Sequence, residues 1–173
     1  ADLGFRLARA GYRTMTIAST TWEEAPIRLG SWIKQRTRWL KGWMQTYLVH
    51  MRQPRRTRRE LGWRGWFALH GLIGGMMLST LVHPICLAGI AYQLASGSLL
   101  MPSESAAGRV LVWIALLNLV LGYASAMAAG AIAAWQRGWR RTSIAALAMP
   151  IYWQLISVAS YRALWQLFRA PHL

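Results

Sequence analysis

Gln35, Arg38 and Trp39 stand at i, i+3 and i+4, a spacing that places three side chains on one side of an α-helix. Their types suit a polar ring that carries phosphate. An indole face stacks on the C–H face of a pyranose, a guanidinium offers a fork of donors to diphosphate oxygens, and a carboxamide both donates to and accepts from hydroxyls. Gly42 and Thr46 continue this side at i+7 and i+11, with Gly42 opening space one turn after the Trp. Projected at about 100° per residue, Leu29, Ile33, Leu40, Met44, Tyr47 and Met51 fall in one narrow arc on the other side, expected to be buried or to lie on a membrane. Arg36 is turned about 100° from Gln35, toward that arc. The same pattern admits a second reading, in which Trp39 anchors an amphipathic helix at a bilayer surface, as Trp32 and Trp43 do, and the arginines bind lipid phosphates.

Other reactive side chains are sparse. The five acidic residues are Asp2, Glu23, Glu24, Glu60 and Glu104. Neighbours in an extended loop point opposite ways, so Glu23 and Glu24 do not make a metal pair, and Glu24 reads as a structural partner for a nearby Arg. Asp2 reads as a residue that caps or shapes the first helix. His50, His70, His83 and His172 have no ligand spacing, although His83 before Pro84 marks a candidate helix kink within an apolar run. Cys86, alone in the chain, reads as packing, and no metal site is expected.

The elements that hold these residues are set by periodicity and charge. Leu3, Leu7 and Ala10 before Gly11 predict the end of an amphipathic helix, and residues 12–18 alternate like a short strand. A loop over 19–26 leads to a long helix over 27–51, which Pro54 and the basic run 55–59 end. No Asp, Glu, Lys or Arg occurs in 65–103 or in 110–136, and about 20 apolar residues cross a bilayer. Two transmembrane helices are predicted, over roughly 67–95 and 109–135, joined by a loop with turn composition over 96–108. A third uncharged run, 142–161, contains Pro150, Gln154, Ser157 and Ser160; it is read either as a third span or as an interfacial helix or re-entrant pair bent at Pro150.

The fold class is therefore mainly α and membrane-embedded. Of 173 residues, 55% are hydrophobic and only 14% charged, which excludes an ordinary soluble domain. A net charge of +15 would raise nucleic acid as a partner in a soluble protein. Here 14 of the 20 Lys and Arg precede residue 65, and Arg137, Arg140 and Arg141 form a second cluster. Both flank the uncharged runs, as cytoplasmic loops at an anionic membrane do, so membrane lipids are the expected partner and nucleic acid is not. The chain shows no signal peptide at its front and is expected to begin inside a domain.

Gln35-Arg36-Thr37-Arg38-Trp39 resembles the Q-x-x-R-W motif of membrane-bound family 2 glycosyltransferases, the group of cellulose, hyaluronan and poly-N-acetylglucosamine synthases. Ala1-Asp2-Leu3-Gly4-Phe5-Arg6-Leu7 is similar to the stretch directly after that family's Glu-Asp pair. Glu24-Ala25-Pro26 looks like the Glu and Pro before its Q-x-x-R-W helix, and residues 152–167 look like its membrane-proximal end. The resemblance implies a C-terminal fragment. Residues 1–26 would be the tail of a GT-A type α/β catalytic domain (helix, short strand, then the long interface helix), and 27–66 the interface helix with its basic run. Residues 67–135 would be two transmembrane helices, and 136–173 a third transmembrane or interfacial segment.

It further implies that Gln35, Arg38 and Arg36 lie by the donor diphosphate and Trp39 under the acceptor sugar. The substrates would be a nucleotide sugar and a glycan or lipid-linked acceptor, in a multi-pass protein of the bacterial inner membrane with its N-terminal part cytoplasmic. The general base and the ligands for Mg or Mn would lie upstream, so no catalytic residue is expected here and the fragment alone would be inactive. The alternative function is a noncatalytic basic anchor that binds anionic lipids.

Overall fold

The computed structural model describes residues 2–15, 17–21, 23–98 and 105–169. They form helices α1 (Asp2–Arg9), α2 (Leu29–Met51), α3 (Pro54–Ala68), α4 (Gly75–Ala95), α5 (Ala106–Gln136) and α6 (Met149–Arg169). A π-helical turn, Leu69–Gly74, joins α3 to α4, and a 3₁₀ segment, Thr142–Ala148, precedes α6. The chain divides into two units, residues 1–84 with 156–173, and residues 85–155.

In the first unit, α2 is the central element. Leu40 and Met44 are buried against Ala159 and Ala163 of α6, with Met76, Met77, Ile156, Leu164 and Leu167 around them. Complete burial of a Met is worth about 1.5–3 kcal/mol, and Met44 is fully buried. The inner face of α6 is small: Ser157, Ala159, Ser160 and Ala163 are all buried, which lets helix backbones approach closely. Thr80 and Ser160 share a hydrogen bond of 2.9 Å, and the Tyr161 hydroxyl donates to the Leu81 carbonyl.

Several expectations change here. Residues 12–15, 17 and 18 form no strand, and no strand exists among the described residues; alternation alone does not satisfy a strand's backbone groups without a partner strand. Thr16, within that stretch, lies outside the described residues. In α1, Asp2, Phe5, Leu7 and Arg9 are half-buried, while Leu3 is exposed. In α2 the buried set is Thr37, Leu40, Lys41, Met44, Thr46 and His50. Thr46 thus belongs to the packed side, with its hydroxyl bonded to the Gly42 carbonyl at 2.8 Å, and Leu29 is exposed.

Beyond α2, Pro54 occupies the first turn of α3, where a missing N–H costs nothing. The helix breaks at Gly62, whose φ of 66° and ψ of −178° are non-helical. The π-helical turn then passes α2 closely: a Cβ on Gly74 would sit 3.1 Å from Tyr47 Cε2, and the Tyr47 and His70 rings meet edge-on at 5.6 Å. Leu69 and Ile73 are buried, so the chain stays packed through this turn. From Gly75 no residue is fully buried, although Met76 and Met77 still pack against the core: α4 has 21 residues, a rise of about 31 Å against a hydrocarbon core of about 30 Å.

In the second unit, α5 has 31 residues and likewise buries none. It starts where the Ser105 side chain accepts from the Gly108 amide at 3.0 Å, a few residues earlier than the charge pattern suggests; 99–104, including Glu104, lie outside the described residues. Gly130 admits Met149 and Ala146 beside it, and the Tyr123 and Trp153 rings lie 5.3 Å apart. Pro150 falls in the first turn of α6, and the 3₁₀ segment runs straight into that helix, so no re-entrant pair forms. Three helical stretches, Pro54–Ala95, Ala106–Gln136 and Thr142–Arg169, are long and apolar enough to cross a membrane. Cys86 is exposed on α4 rather than filling a core.

Candidate functional site

A polar cleft of about 440 Å³ lies where the N-terminal half of α2 meets the C-terminal half of α6. From α2 come Ser31, Lys34, Gln35, Thr37 and Arg38; from α6 come Arg162 and Gln166. The cause is local. Small residues at 159, 160 and 163 seat α6 against Leu40 and Met44, and residues just beside each buried stripe then border the groove between the helices. Three cations and two carboxamides converge there, and among the described residues no carboxylate lines the cleft. An adjoining hollow, lined by 24–28 and Ser31, holds Glu24. Glu24 lies there with Arg28, but makes no ion pair within 4.0 Å among the described residues, contrary to the partner role expected of it.

The four residues picked out by the five-residue motif separate into two places. Gln35 and Arg38 line the cleft together. Arg36 instead stacks between two indoles, its guanidinium carbon 4.5 Å from the Trp39 ring centre and 5.4 Å from that of Trp32. Its Nε is buried without a hydrogen-bond partner. Trp39 is 47% exposed, outside the cleft lining, with Arg36 against its ring. Lys34, Arg162 and Gln166 escaped the sequence reading. The i, i+4 pair Arg162 and Gln166 was the available signal, because it repeats on α6 the guanidinium and amide of α2.

A second polar cluster ties α1 to the end of α2 and to α3. Arg9 donates from Nε to Glu60 Oε2 at 2.6 Å and from Nη1 to His50 Nδ1 at 3.0 Å. Arg56 donates to the other Glu60 oxygen at 2.6 Å, and Arg6 to Asp2 Oδ2 at 2.7 Å. His50 Nε2 lies 3.2 Å from Asp2 Oδ1. Since a guanidinium only donates, Nδ1 of His50 accepts, which puts the ring proton on Nε2, facing Asp2. Burial and then Arg9 hold the His50 pKa below its ordinary value, with Asp2 opposing. Thr57 donates to the His50 carbonyl at 2.7 Å and closes the joint. Asp2 therefore shapes its helix, through Arg6 and His50.

These residues do not fit a divalent cation. Among the described residues no three His, Cys, Asp or Glu side chains gather, and Asp2 and Glu60 are taken by arginines. Comparison of the chain with protein-family models, with curated proteins and with solved structures finds no match.

Proposed function

We propose that the chain is the C-terminal part of an inverting membrane glycosyltransferase of family 2, which moves a sugar from a nucleotide sugar to a growing glycan or a lipid-linked acceptor. The observation that carries this reading is that Gln35 and Arg38 line one cleft with further cations and amides and without a carboxylate. Such a set binds a diphosphate: guanidinium to phosphate is charge-assisted and often bidentate, and the amides take up remaining oxygens or hydroxyls. Trp39, one position from Arg38 and half exposed, offers indole area for an acceptor sugar next to the donor. Holding donor and acceptor in register is worth much of the barrier. The base and any Mg or Mn ligands belong to a GT-A type domain to which residues 1–26 are the tail.

The membrane part is oriented by the charges. With the basic segments cytoplasmic, α4 leaves the cytoplasm and α5 returns, in the inner membrane of a bacterium. The test uses the full-length protein in membranes, with Arg38→Ala and Trp39→Ala assayed for glycan formation from a panel of labelled nucleotide sugars. Rates are expected to fall about tenfold or more for Arg38→Ala, and the 173-residue chain alone is expected to turn over no donor. Unchanged rates in both variants would overturn the reading.

One observation favours the runner-up, a noncatalytic anchor for anionic lipids. Arg36 wedged between Trp32 and Trp39 is the pairing an interfacial helix uses at headgroups. On that reading both substitutions weaken liposome binding and leave glycan formation untouched.

A further inference from the structure

We infer that α6 supplies half of the diphosphate site, with Arg162 as a second guanidinium ligand and Gln166 as its companion amide. This rests on the reading of Gln35 and Arg38 as diphosphate ligands, and extends it to a helix about 125 residues further along the chain. Arg162 and Gln166 lie one turn apart on α6 and line the same cleft as Lys34, Gln35 and Arg38.

The charge balance argues for an anion between them. Elsewhere in this unit three arginines meet carboxylates: Arg6 meets Asp2, and Arg9 and Arg56 meet Glu60. Lys34, Arg38 and Arg162 have no carboxylate within 4.0 Å among the described residues, yet the fold brings all three to one groove. Like charges gathered this way repel unless a counter-charge joins them. The cleft, about 440 Å³, is larger than one phosphate needs and is in the range of small-ligand sites. Amides from both helices add donors for the oxygens that bridge or flank two phosphorus atoms. The chemistry is that of a diphosphate ester, which a nucleotide donor and a polyprenyl carrier lipid both possess.

Sequence distance also gives this arrangement a consequence for folding. A diphosphate clamped by α2 and α6 adds a bond between helices whose buried apolar contact is Leu40 and Met44 against Ala159 and Ala163. Ligand binding should therefore stabilise the α2–α6 contact itself.

The test places the full-length protein in zwitterionic nanodiscs and measures binding of UDP in one arm and of a polyprenyl diphosphate in the other. Variants are Arg38→Ala, Arg162→Ala, Arg162→Lys, Gln166→Ala and, outside the cleft, Arg55→Ala. The expected result is that one ligand binds, that Arg38→Ala and Arg162→Ala each weaken it about tenfold or more, and that Arg162→Lys recovers part of the loss. Arg55→Ala should leave it unchanged. The arm in which this occurs identifies the source of the diphosphate. If Arg38→Ala weakens binding and Arg162→Ala stays within about twofold of the parent, the role of α6 is overturned while that of α2 stands. If neither ligand binds the parent chain, both readings fall. Circular dichroism of each variant accompanies the titration, and Arg162 is exposed, so its loss leaves the core intact.

Discussion

Arg9 joins two partners of opposite demand: it neutralises Glu60, and it donates to a histidine that must stay neutral to accept. Protonating His50 would remove that hydrogen bond and set a second cation beside Arg9 and near Arg6, with only Asp2 in favour. Because the folded-state pKa lies below the ordinary 6.5, the unfolded chain takes up the proton first on acidification. The stability this joint contributes is thus complete above about pH 6.5 and declines as the pH falls from there through the folded-state value. The thermal midpoint of the detergent-solubilised chain should drop between about pH 7 and pH 5, and His50→Phe should flatten that dependence. A midpoint that rises on acidification would contradict it.

At this scale the sequence yielded Gln35 with Arg38 and carries the same short spacing in two pairs that were not read from it. Gln35 with Arg38, Asp2 with Arg6 and Arg56 with Glu60 are all three or four residues apart. The pairing of Arg9 with Glu60 and of Arg38 with Arg162 was not legible, because tertiary packing decides which helices meet and the spacing between them carries no record of it. Trp39 shows a different limit. The projection grouped it with Gln35 and Arg38, whereas it lies outside the lining of their cleft and carries Arg36 against its ring, a residue the projection had turned away; long side chains bend back along a helix surface.

Among the elements, α3 carries a break at Gly62, one of its two glycines. Gly62 has a backbone conformation that is essentially confined to glycine. Gly62→Ala should cost about 1–3 kcal/mol, read as a lower thermal midpoint, whereas Gly42→Ala, with open space around its position and helical backbone, should be neutral or mildly stabilising. An equal effect of the two substitutions would refute the distinction. The strand expected over 12–18 does not form among its described residues, and the bend at Pro150, one of the two alternatives read for 142–161, does not form either, for related reasons. A period-2 pattern needs a partner to become a strand, and a proline in a first turn starts a helix instead of breaking one.

For the whole molecule, apolar composition and charge placement carried most of the information. Val110, Leu117 and Val120 of α5 are each more than half exposed, and α5 is long and apolar enough to cross a membrane. The uncharged runs located all three long apolar helices. They did not reveal that α2 and the end of α6 share a cleft, a fact with topological weight: the two must lie on the same side of the bilayer. If α4 leads out and α5 leads back, the stretch from Arg141 to Arg169 begins and ends at the inner face. In a Cys86→Ala background, cysteines at Arg140 and Arg169 should react with an impermeant maleimide only after cells are opened, and one at Ser98 in intact cells. Labelling at 169 from outside would mean that α6 crosses.

The π-helical turn at Leu69–Gly74 sits between α3 and α4, and there the Gly75 amide reaches back five residues to the His70 carbonyl. A wide turn of this type amounts to one residue more than an α-helical turn requires. The faces before and after it can therefore be set separately: His70 and Gly74 toward Tyr47 of α2, Thr80 and Leu81 toward α6. Losing one residue within the turn would restore ordinary winding and keep both faces in phase, whereas losing one anywhere in α4 before Thr80 would swing that hydroxyl about 100° from Ser160. Tolerance of length change along this helix is concentrated in six residues.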